Sequence, residues 1–250
     1  MFPLSVGGVD APFGLLGKGS LMQHRSPLGL LLIGVILTGC AQATAFSKGQ
    51  SLPKPAPGVG VLLMQPDIEL YELTAGGMLE PKADWTAMAR DHVTAALREE
   101  LQAKKAKLIT YQPPSQNPSK QHAHVQLVKL HDVVGGSILF AGLLPTKKDR
   151  FEWSLGESVT ILREDYGAGY ALFILFRDSY ASAGRKAMMV GAALFGVGVP
   201  AGRQVGFASL VDLGSGDLLW FNRLFDPAGD LRTAEAARKA VKNLLADLPL

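Results

Sequence analysis

Apolar and polar positions change period several times along the chain after residue 58, and each change marks an element. Val59–Met64 is a short apolar run, and Ile68–Leu73 alternates Ile, Leu and Leu with Glu, Tyr and Glu; both are predicted strands. Trp85, Met88, Ala89, Val93, Ala96, Leu97 and Leu101 then recur at three and four residues, the stripe of a surface helix that Asp84 can cap. Leu108–Tyr111 is strand-like and ends in a loop at Pro113, Pro114 and Pro118. A second helical pattern covers Ser119–Val134, and Gly135 and Gly136 are expected to break it.

The second half keeps the same grammar. Ser158–Asp165 reads as a helix, and Tyr170–Phe176 is nearly continuously apolar, as a central strand covered on both faces should be. Gln204–Leu213 and Leu218–Leu224 are strand-like, and Gly214-Ser215-Gly216-Asp217 between them suits a tight hairpin. Thr233 can cap a last helix in which Ala236, Ala237, Ala240, Val241, Leu244, Leu245 and Leu248 form one stripe before Pro249. The predicted fold class is α/β: a single mixed β-sheet flanked by α-helices, with an antiparallel hairpin and an amphipathic helix at the C-terminus.

The N-terminal pattern is of another kind. His24 and Arg25 precede the apolar run Leu28–Leu37, which is too short to span a bilayer and fits the core of a secretory signal. Leu37-Thr38-Gly39-Cys40 then places small residues before the one cysteine of the chain, an arrangement that resembles the bacterial lipobox. Residues 1–39 are therefore expected to be a lipoprotein signal peptide, its true start at Met22. Cys40 is expected to become the acylated first residue, carrying diacylglyceryl and palmitate-type chains. With Cys40 lipidated no thiol remains for a disulfide, so the core must hold the fold. Residues 40–58 include three prolines among Gln, Thr, Ser and Lys, a composition that reads as a flexible tether, and residues 59–250 as a periplasmic α/β domain.

Charge adds little. Two of the 25 Lys and Arg and one of the 22 Asp and Glu precede Cys40, which leaves 23 against 21, interspersed and without a basic stripe; nucleic acid is not an expected partner. The exception to the regular pattern is Ala187–Gly202, AMMVGAALFGVGVPAG, apolar and glycine-rich between Arg185-Lys186 and Arg203. As a helix of about 16 residues it would reach roughly 24 Å, short of a bilayer's hydrocarbon core. Three readings stay open: a buried or inter-subunit helix, a membrane-inserting element, and a mobile loop.

Few residue patterns in the chain fit a catalytic or metal site. Gly135-Gly136-Ser137 lacks the last glycine of a nucleophile elbow, and the GxGxxA match at Gly196–Ala201 does not lie between a strand and a helix N-terminus. His122 and His124 would share a face only in a strand, and His124 and His131 only in a helix, so no metal site is expected, with or without Asp132. His92 reads as a packing residue. Glu99-Glu100 and Glu164-Asp165 diverge on helices and cannot clasp a substrate. Arg177, Asp178, Ser179 and Tyr180 follow the predicted central strand, where ligands of α/β sheets bind, although mutual pairing explains them as well. Trp153, Trp220 and Phe221 suit either a partner anchor or the core. No catalytic residue, cofactor or metal is expected.

The lipobox, the Pro-rich tether, the Trp85 helix, the strand Tyr170–Phe176 and the hairpin Ser209–Trp220 with its following helix resemble uncharacterised bacterial envelope lipoproteins. Their domain is similar to the N-terminal domain of the Tol translocation protein and to the curli-secretion lipoprotein. The resemblance implies a non-enzymatic adaptor or assembly factor, lipid-anchored in the outer membrane and facing the periplasm, with an envelope protein or a second copy as partner. The alternative it implies is a subunit of an oligomeric secretion channel.

Overall fold

The structure, a computed structural model, describes residues 42–47, 59–139 and 151–250 of the 250. The expected signal peptide and the expected lipidation site Cys40 lie outside them. Strands β1 (Gln42–Ser47), β2 (Gly60–Leu63), β3 (Asp67–Leu73), β4 (Leu79–Pro81), β5 (Lys107–Thr110), β6 (Tyr170–Ala181), β7 (Gly202–Asp212) and β8 (Leu218–Asp226) form one mixed sheet. Its order is β1-β8-β7-β6-β2-β5. Beyond the end of β2, β3 takes over the parallel pairing to β6 and carries β4 at its outer edge. The helices are α1 (Ala83–Ala103), α2 (Pro118–Leu139), α3 (Thr160–Tyr166), α4 (Ala183–Ala193) and α5 (Ala234–Leu244). The expected α/β class and the C-terminal hairpin and helix are found.

β6 is the middle of the sheet because its apolar residues are covered on both faces. Leu172, Ile174 and Phe176 meet α1 and α5 together with Trp220 and Leu224. Phe173 points the other way, to a second core shared with Leu62, Phe207, Phe221, Leu127 of α2 and Leu162 of α3. The α1 stripe buries Ala89, Val93, Ala96, Leu97 and Leu101. Thr233 caps α5, its Oγ1 accepting from the Ala236 amide at 3.3 Å. In the β7–β8 turn, Asp212 Oδ1 accepts from the amides of Gly214 and Ser215. Gly216 takes φ +80°, with Gly156 O only 2.2 Å from where a Cβ would sit.

Several expectations are corrected. Gly135 and Gly136 do not end α2, which runs on to Leu139. Gly135 faces the sheet, and a Cβ there would lie 2.5 Å from Phe207 Cζ, so the glycine lets the helix pass close to β7 at the cost of some helix propensity. Asp84 is not the cap of α1; Lys82 holds that position and Asp84 sits in the first turn, where a carboxylate suits the positive end of the helix. Within the segment read as a tether, Gln42–Ser47 is the edge strand β1, paired antiparallel with β8. Arg177–Tyr180 do not follow the central strand but belong to it, because β3 and β7 continue to pair on either side through Ala181 and Tyr180.

Ala187–Gly202 is neither one helix nor buried in its own chain. α4 stops at Ala193, Gly196 turns with φ +73°, and Gly202 enters β7. Leu194 and Phe195 are 82% and 85% exposed. Arg185, itself buried, ties this connection to the β3–β4 turn through Nε to Pro200 O (2.9 Å) and Nη1 to Thr74 O (3.3 Å). Among the described residues no helix is long and apolar enough to cross a membrane.

Candidate binding groove

Side chains alternate across β6, so the run Arg177–Tyr180 splits between the faces. Arg177 and Ser179 lie on the α2 face and Asp178 and Tyr180 under α1 and α5. α2 covers that first face only as far as Leu139. Beyond it, Gln42 and Thr44 of β1, Arg223 and Phe225 of β8, Arg203 and Val205 of β7, and Arg177 of β6 line an open cavity of about 500 Å³. The register that aligns them is Arg177↔Val205↔Phe225↔Gln42 and Ser179↔Arg203.

The three arginines are held differently. Arg177 Nη2 donates to Asp67 Oδ2 at 2.6 Å and its Nε lies 3.3 Å from Glu69 Oε2. Burial opposes its charge, but these carboxylates hold its pKa above the ordinary value. Arg223 Nη1 donates to Leu139 O at 3.4 Å, tying β8 to the end of α2. Arg203 is exposed; its amide donates to Ser179 Oγ at 3.1 Å, which fixes its backbone at the rim. Burial, then the bond to Glu69, raises the Tyr71 hydroxyl, which stays neutral at the groove's side.

Asp178, 1% exposed, accepts from Tyr180 OH, Gln204 Nε2 (3.0 Å) and the Leu231 amide (3.3 Å). Burial pushes its carboxyl up to about 6 against the pull of these donors, and burial and Asp178 raise the Tyr180 hydroxyl. Arg232 stacks on Tyr180 and Trp85 at 3.8 and 4.8 Å, closing the cluster from outside. This is a packing network under α1 and α5, of which only Asp178 also borders the groove.

One trio imitates a nucleophile. His131 Nε2 lies 2.6 Å from Ser209 Oγ, and its Nδ1 is 3.6 Å from Asp132 Oδ1, the order of nucleophile, base and orienter. Ser209 is 0% and His131 2% exposed, however, and His131 stacks on Phe173 at 4.0 Å, so no substrate carbonyl can reach the hydroxyl. Burial depresses the His131 pKa despite Asp132. Ser209 was signalled only by its place as a polar residue inside the apolar β7.

The remaining residues stay apart. His124 is buried between Tyr111 OH (3.3 Å from Nδ1) and Asp165 Oδ2 (3.1 Å from Nε2), and His122 is exposed. Asp165 also pairs with Lys120. Among the described residues no three His, Cys, Asp or Glu could hold a metal ion. Ser137 donates to Val133 O inside α2, and His92 Nδ1 lies 3.3 Å from Leu231 O. Trp220 and Phe221 are core residues, while Trp153 packs half-buried on the Phe221 side.

Among solved structures, the chain is similar to a PelC dodecamer from Paraburkholderia phytofirmans. The likeness covers 83% of this chain and 96% of that one at 12% identity, with a TM-score of 0.37. A second structure of a PelC dodecamer from the same organism gives 13% identity and 0.36. No residue role is carried over at that distance. No protein-family model matches the chain, and no curated protein sequence does.

Proposed function

We propose that the chain is a bacterial outer-membrane lipoprotein, held by acyl groups on Cys40 and facing the periplasm. Its domain serves without catalysis as a subunit that assembles with copies of itself in an envelope secretion complex. The observation that carries this reading is the apolar tip after β6. Val190, Leu194, Phe195 and Val197 are 67%, 82%, 85% and 55% exposed, surface that a lone soluble domain seldom leaves uncovered. The tip leaves the sheet at the end where β6 stops and β7 starts, and β1 starts there too, two residues after Cys40. The start of β1 and the apolar surface thus belong to one end of the domain, which suits an anchor at Cys40.

The sealing of Ser209 and His131 supports a non-catalytic role. A second reading, a monomeric adaptor for another envelope protein, is favoured by the open groove, which offers that partner arginines beside an apolar floor. The test of the anchor is the intact mass and fractionation of the mature protein. A chain that begins at Cys40, carries added acyl mass and sediments with the outer membrane is expected. An unmodified chain in the soluble fraction contradicts the reading.

A further inference from the structure

We propose that the groove between Leu139, β6, β7, β8 and β1 is a binding site for an anionic phospholipid. The assignment deepens the lipoprotein reading and rests on it for the membrane. Three features of the groove converge on this ligand. Its rim holds Arg177, Arg203 and Arg223, whose planar guanidinium groups match phosphate oxygens better than lysine would. Its floor is apolar, with Leu139, Val205 and Phe225, so the occupant is an amphiphile and not a bare anion. Its wall includes Gln42, and Cys40 lies two residues before it, within about 7 Å of chain, so an acyl group on that cysteine puts lipid headgroups at the groove's mouth.

The arginines divide the work. Arg177 is already fixed by Asp67 and Glu69 and orients the inner wall, and Arg223 is fixed by Leu139 O. Arg203, exposed at the rim with its backbone pinned to Ser179, is the cation that meets the phosphate. The volume of about 500 Å³ takes a phosphoglycerol headgroup with the first part of its chains and leaves the rest in the bilayer.

The experiment uses the full-length lipidated protein in detergent. Native mass spectrometry counts retained phosphatidylglycerol and phosphatidylethanolamine, and thermal unfolding is followed with and without inorganic phosphate. One phosphatidylglycerol per chain, preferred over phosphatidylethanolamine, is expected. In Arg203→Glu its retention falls by about tenfold, the loss of one charge-assisted contact, while the variant stripped of phospholipid unfolds at the same midpoint as the stripped wild type. Equal retention of both lipids, or retention indifferent to Arg203→Glu, overturns the site. A midpoint raised by inorganic phosphate with no lipid retained assigns the cations to a free phosphate and overturns the lipid. The same spectra report the acyl mass on Cys40, so a failed anchor and a failed groove are told apart.

Discussion

Arg177 and Asp178 are neighbours in sequence and live in opposite settings. Asp178 lies beneath α1 and α5, where each donor that reaches it comes from its own fold and its charge is costly. Arg177, one residue earlier, lies on a face that α2 covers only as far as Leu139, and its charge is satisfied by two carboxylates at the edge of an open groove. Polarity on this sheet therefore does not mark function by itself. A polar side chain under a helix builds the core; the same chemistry beyond Leu139 is open to a partner.

The largest effect that can break this contrast is packing. Phe176→Ala, beneath α1 and α5, is expected to cost about 3–5 kcal/mol in urea unfolding, and Val205→Ala, in the groove, less than about 1.5. Equal costs would mean that the groove is as well packed as the covered face. Next in size is the titration of Asp178. Its carboxyl is raised from 3.8 to about 6 by folding, so the folded chain binds the proton more tightly and the stabilisation is complete below pH 4. It is lost as the pH rises through 6, by up to about 3 kcal/mol. Asp178→Asn should flatten the dependence of the urea midpoint between pH 4 and 7; a wild-type curve that is already flat there removes the buried charge from the account.

Smaller effects sharpen the picture. Thr233→Ala removes the cap of α5 and is expected to cost about 1 kcal/mol by the same measurement, since that helix closes the covered face. Arg203→Gln, in contrast, should change stability by less than about 0.5 kcal/mol, because the side chain is exposed. A cost near that of Thr233→Ala would make Arg203 a structural residue and not a rim cation.

Much of the fold was legible because its signals are local. The α1 stripe, the α5 stripe with Thr233, the apolar run of β6 and the glycines of the β7–β8 turn each report on themselves within about a dozen residues. What escaped depends on distant partners. Gly135 looks like a helix breaker until Phe207, on β7, is seen against it. β1 reads as a tether because its pairing is to β8, far along the chain. Arg177 finds Asp67 across 110 positions, and Ser209 finds His131 across 78. The groove was half legible: Arg177 and Ser179 stood in the right run, but only the register with β7, β8 and β1 adds Arg203, Arg223 and Gln42 and sends Asp178 and Tyr180 elsewhere.

The exposed tip of residues 190–197 is proposed to be an assembly surface next to a lipid anchor. Native mass spectrometry of the detergent-solubilised full-length protein, beside Leu194→Ser and Phe195→Ser in one chain, tests it most directly. Acylated wild-type chains in a discrete multi-subunit complex are expected, and a variant that keeps its acyl groups and its unfolding midpoint but falls to lower order. An acylated monomer in both, or a complex indifferent to the two serines, would contradict it.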